Sequence, residues 1–98
     1  MENVKLGTVI AERVLKSSRL DSNVTIRIGC PQATAEGDFI TPYQIIGAGD
    51  QEVRFAAGLD ALQSLQLAIR MIGADISYGL KEYELKWADG DDAGLPMP

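Results

Sequence analysis

Gly58-Leu59-Asp60-Ala61-Leu62-Gln63-Ser64-Leu65-Gln66-Leu67-Ala68-Ile69-Arg70-Met71-Ile72 is the only long stretch of this chain with a helical period, and what precedes it reads as strands. Leu62, Leu65, Ile69, Ile72 and Ile76 recur at the spacing of one helical face. Leu67, Ala68 and Met71 widen that stripe, whereas Gln63, Gln66 and Arg70 mark the wetter side. Asp60, with Gln63 three residues on, fits a variant of the capping box and suits the positive end of the helix dipole. Gly79 is a natural left-handed stop. Burying a Leu or Ile contributes roughly 1.5–3 kcal/mol, so the stripe contributes on the order of 10 kcal/mol gross, comparable with a small domain's net stability. A structural role accounts for every apolar residue of the helix, which carries no ligand set and no nucleophile–base pair.

Upstream, residues 8–16 are rich in β-branched side chains and read as a first strand, followed by a turn-forming segment at 17–23. Residues 24–30 alternate cleanly, placing Val24, Ile26, Ile28 and Cys30 on one face, and Pro31 stops them. Residues 32–38 are a polar loop and 39–47 a third strand. Pro42 cannot donate to a ladder, so that strand is an edge, starts near Pro42 or bulges there. Residues 47–50 lead into a fourth strand in which Val53, Phe55 and Ala57 share a face. Beyond the helix, Tyr83-Glu84-Leu85-Lys86-Trp87 alternates again, as a fifth strand or an extended arm. The expectation is one α+β domain over residues 1–98: an antiparallel meander of four strands, or five, one long helix packed on one face, and an irregular tail at 87–98.

Composition sets the class. At 98 residues, 46% apolar and 23% charged, the chain has the make-up of one ordinary globular domain. Nine Lys/Arg against 14 Asp/Glu give a net charge of −5, and with only a dilute basic segment in residues 1–27, nucleic acid is not an expected partner. No apolar run approaches the ~20 residues of a membrane span, and the start of the chain lacks a signal pattern. With a single cysteine, the expectation is a cytoplasmic protein of bacterial type, with no membrane association.

There is no histidine, which removes the commonest general base and metal ligand. Cys30, on the apolar face of its strand, reads as a buried and inert thiol. Asp89-Gly90-Asp91-Asp92-Ala93-Gly94 begins like a calcium loop, but Ala93 stands where Asp or Asn is required. Gly47-Ala48-Gly49-Asp50 precedes a strand, not a helix, so the phosphate-cradle mechanism is missing. Glu36, Asp38 and Asp50 fall in two loops that a meander separates. No catalytic, cofactor-binding or metal-binding residue is assigned, and no cofactor is expected. Glu12, Arg13, Arg27 and Arg54 lie inside strands, where cross-strand ion pairs or a partner's surface would engage them. Trp87 is either an anchor folded back on the core or a contact for another chain. Arg27, Arg54 and Trp87 are therefore the candidate partner contacts.

The helix segment Gly58 to Ala68, with Trp87 and the closing Gly94-Leu95-Pro96, resembles a family of small uncharacterised bacterial proteins. The resemblance covers roughly residues 53–96. It implies strands leading into one Leu/Ala-rich helix and a short tail, and no catalytic residue. Small α+β bacterial proteins of this shape are similar to immunity proteins of contact-dependent toxin systems, an analogy of fold and size. The function expected is a non-catalytic protein-interaction module, immunity-like or accessory, whose acidic surface meets a basic partner. The alternative is a small-ligand-binding or enzymatic domain whose pocket is built by a homodimer. Nothing in the sequence protects the first strand around residues 9–15 as Pro42 would blunt an outer third strand, so a homodimer is expected along that strand or through the face the helix leaves open, with Trp87 as a secondary anchor.

Overall fold

β-Branched runs punctuated by turn formers divide the first sixty residues into strands. The computed structural model describes residues 4–96 and places β1 at Val9–Ser17, β2 at Val24–Gly29, β3 at Gln32–Ala33, β4 at Phe39–Ile46 and β5 at Arg54–Gly58. Helix α1 (Ala61–Ala74) follows, then a π-helical turn (Asp75–Gly79), a 3-10 turn (Lys81–Tyr83) and β6 (Leu85–Lys86). Every strand pairing is antiparallel: β1 with β2, β2 with β4, and β4 with β5. The α+β meander is thus present. The strand expected at 83–87 is the two-residue β6, which returns to pair with Lys16 and Ser17 of β1, and β3, inside the expected polar loop, brings the strands to six among the described residues.

Pro42 lies in a central strand, not at an edge. β4 pairs with β2 from Tyr43 to Ile46 and with β3 at Phe39 and Ile40, leaving Thr41 and Pro42 opposite the break at Cys30 and Pro31. The missing donor is accommodated by a gap in the neighbouring ladder, so the irregularity belongs to the partner strand. That break also overturns the reading of Cys30. β2 ends at Gly29, the Cys30 amide turns aside to the Thr8 carbonyl at 2.8 Å, and the thiol is exposed.

The helix buries the expected stripe at its C-terminal end, where Ala68, Ile72 and Ile76 are in the core. At its start the buried face is rotated away from Leu62. Ser64, Ala68, Ile72 and Gly73 are buried, Leu65 and Ile69 are half-buried, and Leu62 is 63% exposed. Small residues win this face because the backbones approach closely. A Cβ on Gly58 would sit 2.5 Å from the Ser64 amide nitrogen, and the Ser64 and Thr41 hydroxyls meet at 2.7 Å in the buried interface. A leucine does not fit there, so the large side chains flank the contact. Asp60 caps the helix as its sequence predicts: its carboxylate accepts from the Gln63 amide at 2.7 Å, while Gln63 Oε1 accepts from the Leu59 amide at 2.7 Å.

α1 lies chiefly across β4 and β5. The irregular tail covers the β1–β2 half of the same face: Ala93 is buried, Leu95 packs against the core, and Arg13 reaches across to the Gly94 carbonyl at 2.7 Å. Arg13 also stacks 3.9 Å from the centre of the Trp87 ring. Gly94, at φ +72°, leaves room for that ring where any side chain would collide with it. The core itself is built from Leu15, Val24, Ile26, Tyr43, Ile45 and Ile72.

Candidate cleft between the β4–β5 loop and the π-helical turn

Strand register brings two polar side chains together. Tyr43 and Arg54 are directly opposed across β4 and β5. The loop joining their strands is stitched to itself: Gln51 Oε1 accepts from the Gly47 amide at 3.0 Å and the Gln51 carbonyl accepts from Gln44 Nε2 at 2.8 Å. Within it, Asp50 accepts from the Glu52 amide at 2.9 Å through one oxygen and pairs with Arg54 at 2.7 Å through the other. Gln51 holds a left-handed backbone, φ 59°, which a non-glycine residue adopts at a cost.

The opposite wall comes from the end of α1. Asp75 starts the π-helical turn, and the Leu80 amide closes that turn on the Asp75 carbonyl at 2.9 Å. Such turns are rare and concentrate at functional positions. The Tyr43 phenol donates to Asp75 Oδ2 at 2.7 Å. Burial raises the phenol's pKa above its ordinary range, the Asp75 hydrogen bond and charge push the same way, and Arg54 opposes them. Tyr43 therefore stays protonated and remains a donor. Between the two walls is a cavity of about 220 Å³, with Ile45, Ala48 and Leu80 as apolar lining and Asp50, Glu52 and Asp75 as its carboxylates. Among the described residues, no three candidate ligands stand where one metal ion would hold them together. The arrangement offers hydrogen bonds and charge to a ligand.

Of the three candidate partner contacts, the structure brings Arg54 alone to this cleft, where it meets Asp50 of the Gly47–Asp50 segment also singled out from sequence. Arg27 is on the other face of the sheet, where its Nε donates to Glu12 at 2.6 Å across a directly opposed β1–β2 pair. Trp87 is folded back onto Arg13 and is still 43% exposed. Tyr43 and Asp75, 32 residues apart, were not legible as a pair. One signal did exist: an aspartate at a helix C-terminus opposes the dipole and asks for another reason to be there.

A family model described as Domain of unknown function (DUF6968) matches residues 11–97, from β1 through the docked tail. No curated protein and no solved structure gives a significant match.

Proposed function

The chain belongs to the DUF6968 family, and we propose that it is a non-catalytic protein-interaction module, accessory or immunity-like in role, whose first partner is a second copy of itself. The observation that carries the reading is the outer side of β1. Residues 9–12 pair with β2 on one side and, among the described residues, with no strand on the other. Exposed apolar side chains sit along the same strand: Val9 at 38%, Ile10 at 49% and Val14 at 49%. A bulge between Val9 and Ala11 leaves Ile10 without a partner on β2. Open edges of this kind template pairing with another strand, and an antiparallel edge meets its own copy about a two-fold axis.

β6 and the Trp87–Arg13 stack guard the C-terminal part of the strand, which confines the free edge to residues 9–12. A stable dimer buries about 800 Å² on each subunit, more than four residues of edge supply. In this reading the contact continues onto Val14 and the sheet face that α1 leaves open. The protein works in the cytoplasm of a bacterial cell, a reducing compartment that suits its single cysteine.

Sedimentation equilibrium across a tenfold range of micromolar concentration tests the reading. Wild type sediments as a dimer, and Val14→Lys and Ile10→Lys shift it to monomer with an unchanged circular dichroism spectrum. A monomeric wild-type mass throughout that range overturns it.

A further inference from the structure

We propose that the outer edge of β5 takes one extended segment of another protein, apolar in its middle and with Lys or Arg at each end. β5 is the last strand on its side of the sheet: among the described residues it pairs with β4 alone. Pro42 fixes which of its backbone groups are free. Thr41 and Pro42 lie opposite Ala56 and Phe55, and a proline cannot donate to the ladder. The bonds of an antiparallel pair are exchanged by alternate residues, so here they run through Arg54, Ala56 and Gly58. The amides and carbonyls of Phe55 and Ala57 therefore point away from β4. Those four groups are what an added strand bonds to.

α1 supplies an apolar shelf beside this edge. Ile69 faces Ile26 and Ile28 of β2, and Gly73 lies against Pro96 of the tail. Leu67 and Met71, one turn apart, are on the opposite flank of the helix, and both are exposed. Because α1 lies across β4 and β5, that flank is on the β5 side. Thr41 meets Ser64, which puts Ala56, directly opposite Thr41, on the α1 side of the sheet. An incoming residue opposite Ala56 points the same way, toward Leu67 and Met71. Its two neighbours lie beside Phe55 and Ala57 on the other face.

Charge decides against a second copy at this edge. Glu52 precedes the strand and Asp60 follows it. Neither forms an ion pair among the described residues, and Arg54 between them is taken by Asp50. Two copies joined through all four free groups would set Phe55 opposite Ala57, and so Glu52 of each against Asp60 of the other. Like charges opposed across a strand pair destabilise it, whereas a basic residue at each end of the segment is complementary. Two free residues also fall far short of the roughly 800 Å² that each subunit of a stable dimer buries. This edge is across the sheet from β1, and the proposal holds whether or not the chain pairs with itself there.

The test is a titration of the ¹⁵N-labelled full chain, followed by amide shifts, with the capped peptide Lys-Ser-Thr-Val-Leu-Val-Thr-Ser-Lys. Its two lysines match the spacing from Glu52 to Asp60. Saturable shifts are expected at residues 54–58 and 67–71, with a Kd on the order of 100 μM. N-methylation of both valines, which face Phe55 and Ala57 across the new ladder, weakens binding at least about tenfold. Glutamate in place of both lysines weakens it at least about threefold at low salt. Ala57→Pro removes a free donor at an edge position, where proline is tolerated, and Met71→Ser trims the shelf. Each weakens binding at least about threefold and leaves the spectrum elsewhere as in wild type. Should Ala57→Pro disturb the fold, Met71→Ser and the N-methylated peptide still decide the matter. The proposal is overturned if the peptide does not approach saturation by roughly 2 mM, or if its N-methylated form binds equally well. Shifts at residues 54–58 on concentrating the protein without peptide would also overturn it, by making a second copy the occupant.

Discussion

Removing the Ser64 hydroxyl tests how the helix is seated on the sheet. Ser64 and Thr41 are both fully buried. Ser64 Oγ donates to the Ala61 carbonyl at 2.9 Å, so its single proton is spent there, and Thr41 is the donor in the 2.7 Å bond between the two hydroxyls. Ser64→Ala leaves the Thr41 hydroxyl buried without its acceptor, a loss of about 1–3 kcal/mol. The better helix propensity of Ala returns roughly 0.5 kcal/mol of that. In Thr41→Val, Ser64 keeps its carbonyl partner, and the cost falls to about 0.5–1.5 kcal/mol. The double variant replaces both groups by apolar ones of nearly the same shape, which mutational experience places close to neutral. Its destabilisation should fall short of the sum of the singles by about 1 kcal/mol or more. Urea unfolding with a common m-value measures all four corners of the cycle. Additivity within about 0.3 kcal/mol would mean that the hydroxyls do not meet and that the helix rests on another face.

Three further outcomes follow from the same geometry. Ile72→Ala, at a fully buried site, should cost about 2–5 kcal/mol, whereas Leu62→Ala, on a side chain 63% exposed, should cost about 0.5 kcal/mol or less; equal urea midpoints would refute the assigned face. Cys30 is exposed and should label completely with a thiol reagent in the native state, and labelling only after denaturation would contradict its place past the end of β2. Tyr43 has its folded-state pKa raised, so its contribution to stability is full below the unfolded value near 10 and is lost as pH rises beyond it. An alkaline ultraviolet titration should therefore show one of the three tyrosines resisting ionisation until the protein unfolds. Tyr43→Phe should abolish that late step, and its persistence would place the resistant phenol elsewhere.

The strands were legible because alternation and turn residues are local signals: Val24 to Ile28 read correctly from period alone. The helix cap was legible for the same reason, since Asp60 and Gln63 act within one turn. The face of the helix was legible in part: Ala68, Ile72 and Ile76 are buried as the period predicts, but Leu62 is not. A hydrophobic stripe ranks residues by transfer energy, while the first turns of the contact were decided by how near two backbones come, and that favoured Ser64 over Leu62. Pro42 misled because its cost depends on the neighbouring strand, whose break opposite it is a tertiary fact. The cleft was hidden for a related reason: Tyr43, Arg54 and Asp75 meet only through register and through the turn that ends the helix. Trp87 illustrates the intermediate case. Its need for a partner was readable, and the structure supplies Arg13.

Residue-resolved hydrogen exchange at two protein concentrations tests the proposed association at β1 most directly. Amides of residues 9–12 that do not bond to β2 should exchange freely in dilute protein and become protected as concentration rises through the micromolar range, while those of β4 stay unchanged. Protection of the β1 edge that is identical at both concentrations would contradict pairing with a second copy.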